Sequence, residues 1–353
     1  MSETVRTGSS MMWPFRGAGA RVAGVGGLTL VVAAFTIFGS SFNLYIVNAA
    51  LLACIGAISL NLLQGTAGQV SIGNAAFLCV GGFSSVFFVR AGIGFPWDVI
   101  LAMLVAASAG LVVGIPALRL SGLALALATL AAVFIANFGG TYYQNHASDA
   151  GTSGFNIPPV FEGTQLDIQR RWSWLLLVVV VVVALGVDRL TAGKAGRAWR
   201  FIRDHEVVAP GLGIPVARYK LMTFIISSAL IGAEGALLAH FNELVSSDTY
   251  TLALSVQYLA MVLVGGLDSI VGAVIGAALL TSLPTLLQQI MPPLVGSQNA
   301  TINNSQYSLI AYGVLIVVFI ISSPNGIVGF LRGQLWTKAW RRHRRSAELS
   351  ATG

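Results

Sequence analysis

The chain has 353 residues, of which 56% are hydrophobic and 9% charged, whereas about a quarter of the residues of a typical soluble domain are charged. Twenty Lys and Arg with 13 Asp and Glu cannot build the charged shell that a water-soluble body of this size requires. With a mean hydropathy of +0.80, the chain reads as an all-α integral membrane protein, a polytopic helical bundle.

A spanning helix needs about 20 mostly apolar residues, since each rises about 1.5 Å through a hydrocarbon core about 30 Å thick. Ten such windows are predicted, at approximately 22–39, 43–63, 70–89, 97–117, 121–138, 172–188, 221–241, 252–267, 269–290 and 307–323. The first is read as a retained span and not a cleaved signal, because its apolar run exceeds the usual signal length. These windows divide the chain into an N-terminal segment 1–21, a membrane domain 22–323 and a basic tail 324–353. If the N-terminus is cytoplasmic, 17 of the 20 positive residues fall on that side, and only Arg90, Arg170 and Arg171 fall outside. That asymmetry predicts cytoplasmic termini. The tail, with Arg341, Arg342, Arg344 and Arg345, reads as a contact for anionic lipid and not for nucleic acid.

Two connections exceed simple turns: an external one at about 139–171, and a cytoplasmic one at about 189–220 that carries seven of the positive residues. Within the latter, Gly196 to Ala209 is predicted to form one amphipathic helix. Ala198, Ile202, His205 and Ala209 share a face, and Pro210 ends the helix before Gly211 and Gly213. A helix of this kind fits both a groove on another protein and the membrane surface.

Enzymatic chemistry is missing from the sequence. No GxxxxGK[ST] loop is present, so the chain is not expected to hydrolyse ATP itself, and no nucleophile elbow or metal-ligand spacing is visible. Cys54 and Cys79 lie in apolar stretches and read as small packing residues. Glu234 is the one strongly polar ionisable residue near the middle of a span. Its carboxyl must be protonated, paired or facing water, which fits a proton or solute site as well as an acid packed between helices. Asn43, Asn61, Gln64, Asn74 and Asn137 fit either a solute path or bonds between helices. The Gly-rich windows 65–82 and 265–276 suit close helix packing, or broken helices whose free backbone groups face a solute.

Five segments resemble the LivM-type permeases of bacterial branched-chain amino acid ABC transporters. They are Asn61 to Phe77 (NLLQGTAGQVSIGNAAF), Gly151 to Pro158, Gly196 to Lys220, Tyr258 to Gly276, and Pro324 to Gly329. They occur in the family's order. The resemblance implies a permease subunit of the bacterial inner membrane, working with a second related permease, two cytoplasmic ATPases and an extracytoplasmic solute-binding protein. ATP and Mg would be bound by the ATPases, and no cofactor by this chain. It also implies that the segment holding Arg203, Asp204, Glu206, Ala209, Gly211 and Gly213 docks on an ATPase, and that Gln64, Gln69, Ser71, Asn74 and Glu234 are candidates for the path. Asn74 stands where the family often has His, Asp268 replaces a common Gly, and Glu234 occupies a position that is usually small. Urea-type permeases share nearly the same signatures and form the alternative. A secondary transporter using Glu234, a membrane enzyme and a passive channel are rivals from other classes, and none of them requires the long cytoplasmic docking loop.

Overall fold

The computed structural model describes residues 39–120, 122–147 and 154–290, together with positions 313, 314 and 317. The N-terminal segment, the basic tail and nearly all of the spans predicted at 22–39 and 307–323 lie outside the described residues. Helix α1 (Ser41–Asn61) continues directly into a π-helical turn, Leu62–Thr66. After it come α2 (Asn74–Arg90), α3 (Trp97–Ala117), α4 (Leu123–Ala147), α5 (Gln165–Ala192), α6 (Lys194–Asp204), α7 (Val216–Asn242), α8 (Leu252–Gly265) and α9 (Ile270–Ile290). Two short strands, β1 (Phe155–Asn156) and β2 (Leu244–Val245), form an antiparallel ribbon with Phe155 opposite Val245.

Five of these helical runs are long and apolar enough to cross a membrane: α1 with its π turn, α3, α4, α5 and α7. The described residues therefore form an all-α membrane bundle. The apolar windows predicted its helices well where a helix is apolar along its whole length, as in α3, and less well where polar residues extend it. Helix α5 begins seven residues before the predicted window. Thr164 caps it, accepting from the Asp167 amide (3.4 Å) and donating to the Asp167 carboxylate (2.6 Å), which satisfies an otherwise unpaired first-turn donor. Helix α4 runs on past the predicted end at 138 to Ala147. Both extensions shorten the connection expected at 139–171.

The core lies along α1 and α7. In the most apolar window of α1 78% of residues are buried, against 22% in α3, so α3 is a flank whose outward side chains suit lipid. Polar ties join the core helices. Asn48 donates to the Gln169 side chain (2.8 Å) and accepts from Ser173 (2.7 Å), binding α1 to α5, a kind of bond that holds helices together where hydrophobic burial gives little preference. Cys54 and Cys79 are free and buried.

Two seams are closed by backbone. A Cβ added at Gly81 of α2 would lie 2.1 Å from the Gly232 carbonyl oxygen of α7, and one at Gly235 would lie 2.2 Å from the Leu78 oxygen. Between α8 and α9, a Cβ at Gly265 or Gly276 would lie 2.0 Å from the carbonyl of Gly272 or Met261. The Gly-rich windows therefore serve close packing along much of their length, as small residues at membrane helix interfaces do.

Candidate functional site: the α6 clamp and the inner ends of α2 and α8

The amphipathic helix expected over Gly196 to Ala209 is divided in two. Helix α6 ends at Asp204, and a separate 3-10 turn, Ala209–Leu212, follows it and is closed by Gly213 in the left-handed region (φ 76°). Pro210 has no amide to continue an α-helical ladder and biases Ala209 away from the helical region, so the chain folds into a tighter turn. The buried stripe also differs from the expected one. Gly196, Trp199 and Ile202 face inward, and the Trp199 indole donates to the Tyr219 carbonyl (2.9 Å). His205 is exposed, and Ala209 is buried through the turn rather than through α6. Val207 (93% exposed), Val208 and Leu212 project outward. The turn is thus an apolar knob on a charged base.

That base is a clamp on the ends of the bundle helices. Arg203 donates to the Gly65 carbonyl in the π turn, pairs with Asp204 (3.1 Å) and reaches Asp268 (3.8 Å). Arg200 lies 3.7 Å from the other oxygen of Asp268. Asp268, in the connection between α8 and α9, adopts a left-handed backbone (φ 62°), which glycine reaches without strain. Its side chain supplies a carboxylate between two arginines. Its amide donates to the Asn61 side chain (3.0 Å) and its carboxylate accepts from Thr66 (3.4 Å). Glu206 pairs with Lys220, whose carbonyl accepts from Gln69 (3.1 Å). Asp204 and Gly211 are exposed.

The segment Ala67–Gly73 turns from this clamp back into the bundle. Gln64 donates to the Ser71 carbonyl (2.6 Å), the Ser71 hydroxyl accepts from the Gly73 amide (3.2 Å), and Thr129 accepts from the Ile72 amide (3.0 Å). Gln64, Gln69 and Ser71 are therefore brought together, but as the braces of a re-entrant segment. The segment ends at Asn74, where α2 begins. There the Ala75 amide donates to Ser255 of α8 (2.9 Å), while the Asn74 side chain, 2% exposed, has neither amide atom hydrogen-bonded.

Glu234 shares no hydrogen-bond partner with that group. It is fully buried between α1, α7 and α8, one oxygen accepting from Tyr258 and the other unpartnered. Gly56 faces it so closely that an added Cβ would lie 2.1 Å from the carboxylate. A second buried polar group went unread in the sequence. Asp98 accepts from Ser85 (2.6 Å) and lies 2.5 Å from the His240 ring nitrogen, joining the starts and ends of three helices at the ribbon end of the bundle. Among the described residues no cluster of His, Cys, Asp and Glu fit to hold a metal ion is found.

The model of one protein family, described as branched-chain amino acid transport system, permease component, matches residues 42–320. The chain belongs to that family. This permease is 28% identical over 338 residues to the high-affinity branched-chain amino acid transport system permease protein LivM of Salmonella typhimurium, covering 88% of the chain and 76% of the relative. It is 29% identical to LivM of Escherichia coli K12, covering 80% of the chain and 68% of the relative. It is also 26% identical over 198 residues to LivH of Salmonella typhimurium, covering 53% and 60%. No solved structure shows significant similarity to it. The permease is accordingly a membrane transport subunit of the ABC type and not an enzyme, and permeases of this type work with ATPase and solute-binding partners.

Proposed function

We propose that the permease forms half of the translocation path of an importer for branched-chain or related hydrophobic amino acids, spans the membrane ten times and has both termini in the cytoplasm. A second, related permease completes the path. Two ATPases, which bind ATP and Mg, grip the Val207 to Gly213 turn, and an extracytoplasmic binding protein delivers the solute at the ribbon end. One observation carries this reading: an exposed apolar knob stands on a charged base that touches the ends of α1, α7 and the α8–α9 connection. A partner that pulls the knob therefore moves three bundle helices at once, which is the differential contact a nucleotide-driven population shift requires. The clustering of positive residues near α6 supports a cytoplasmic placement of that end.

Reconstitution with the ATPases, the second permease and the binding protein tests the assignment. Glu206→Arg sets two cations together at Lys220, and Gly213→Val strains a left-handed position. Each is expected to reduce ATP-driven leucine uptake at least about tenfold, equivalent to about 1.4 kcal/mol or more of lost coupling. Undiminished uptake in both would remove the docking role.

Glu234 is assigned to packing, supported by its full burial and its single bond from Tyr258. Glu234→Gln keeps an oxygen for the Tyr258 hydroxyl and is expected to leave ATP-driven uptake within about twofold of the parent. Gradient-driven flux without ATP that this substitution abolishes would instead favour a proton-coupled carrier.

A further inference from the structure

Helix α2 begins among buried residues, and α8 begins beside it with its first residues exposed. Helix α2 has 17 residues and α8 has 14, so they rise about 26 and 21 Å and fall short of a hydrocarbon core about 30 Å thick. Neighbouring contacts fix the depth of α2. Phe77 meets Phe224 of α7 edge-on at 5.7 Å, and Gly81 abuts Gly232. The first turn of α2 therefore lies beside α7 roughly 12 Å along that helix. The first turn of α8 meets it there through the bond from the Ala75 amide to Ser255. The segments leading into the two helices arrive from opposite ends of the bundle: Ala67–Gly73 from the α6 clamp, and the stretch through Ser247–Thr249 from the ribbon.

A helix N-terminus carries unpaired amides and roughly half an elementary positive charge. That of α2 is buried at Asn74 and Ala75 and favours a negatively charged group beside it, whereas α8 starts with Thr251 to Ala253 exposed and Thr251 capping the Leu254 amide. Most of the local polar groups are already matched, since the Ala75 amide bonds to Ser255 and the Ala76 amide to the Gly73 carbonyl. The exception is Asn74, the first residue of α2. Its side chain is 98% buried, yet its amide nitrogen and its oxygen both lack a partner, a condition that folded proteins seldom leave without a water or ligand to relieve it. The missing complement is an acceptor for Nδ2 and a donor for Oδ1. A carboxylate and an ammonium on adjacent atoms supply both, and the start of α2 favours the carboxylate. Next to it, Ala75, Ala76, Ala132 and Val133 form a small apolar cluster with Leu254 packed against it, a surface suited to an aliphatic chain.

We infer that Asn74, at the meeting of α2 and α8, receives the zwitterionic head group of the free α-amino acid in passage, Nδ2 donating to the carboxylate and Oδ1 accepting from the ammonium. This rests on the reading of the permease as an amino acid carrier and adds where, and by which uncharged group, the head is read.

The complete transporter in lipid nanodiscs, without binding protein, tests this by saturation-transfer NMR with L-leucine, with isoamylamine, which lacks the carboxylate, with 4-methylpentanoate, which lacks the ammonium, and with urea. Leucine is expected to give a signal that weakens at least about tenfold for the other three and disappears in Asn74→Ala. With the binding protein added in proteoliposomes, Asn74→Ala is expected to lose leucine uptake at least about tenfold. Its melting temperature should equal or exceed that of the parent, because two unpaired buried atoms are removed, and ATP hydrolysis should continue. Uptake within about twofold of the parent, or equal signals from leucine and isoamylamine, overturns the inference. So does a fall in melting temperature and uptake together that Asn74→Ser restores, which assigns the site to a structural water. If Asn74→Ala does not assemble, the comparison of leucine with its three analogues on the parent decides. Should the parent transporter carry no amino acid in an ATP-dependent manner, the functional reading itself fails; if it does and Asn74→Ala does equally, only the inference fails.

Discussion

Gly81→Leu is expected to leave no correctly assembled permease. The first added atom would lie 2.1 Å from the Gly232 carbonyl oxygen and 2.7 Å from its carbon atoms. These are backbone atoms of α7, which no rotamer change can move. Overpacking a core ordinarily costs about 1–3 kcal/mol because side chains give way; here α2 and α7 must separate as units. Their separation would also loosen Phe77 from Phe224 and Ser85 from His240. Size-exclusion profiles of the detergent-solubilised complex measure the effect, and a Gly81→Leu complex that elutes and melts like the parent would contradict the seam. Gly92, with nothing near its Cβ direction, is an internal control for the loss of close contact, although its positive φ limits the substitution to Asn or Asp.

Arg203→Ala is expected to act in the opposite way, sparing assembly and uncoupling transport. Arg203 and Asp268 are each about a third exposed and 3.8 Å apart, so the ion pair contributes little to stability, about 1 kcal/mol or less. The bond from Arg203 to the Gly65 carbonyl is different in kind. It ties α6 to the π turn that leads into the re-entrant segment, so its loss removes a path for force rather than a large share of folding energy. Leucine uptake driven by ATP is expected to fall at least about tenfold while ATP hydrolysis by the partners persists. Arg203→Lys keeps the charge but loses the planar fork, so an intermediate value is expected. Uptake by Arg203→Ala equal to that of the parent would show that the clamp does not transmit.

How much of this was legible in the sequence depended on whether a signal was local. Spans such as α3 could be read directly, because a bilayer demands a long apolar run. The start of α5 could not be read from hydropathy, because Thr164 and Asp167 set it by capping and not by burial. Pro210 placed the helix end at Ala209, whereas α6 ends at Asp204, and of the stripe expected to share a face only Ile202 turns inward from α6. The indole of Trp199, with its bond to the Tyr219 carbonyl, decides which face turns in, and that partner lies 20 residues away. Glu234 stood out as a lone acid in an apolar window. Asp98, His240 and Ser85 did not, since their separations of 13, 142 and 155 residues carry no pattern until the fold joins them. Asp268 was visible as a departure from Gly, but its two arginines and Asn61 were not. The resemblance singled out Asn74, whereas its lack of any partner is a property of the packed bundle alone.

The backbone seams have a further geometric consequence. Helices α2 and α7 cannot slip past each other without driving a carbonyl into a neighbouring chain, and the same holds for α8 and α9. Each pair is therefore expected to travel as a single plank. The starts of α2 and α8 belong to different planks and are joined by the hydrogen bond from the Ala75 amide to Ser255. A stroke that drove the two planks apart would therefore have to break that bond and the buried one from Tyr258 of α8 to Glu234 of α7.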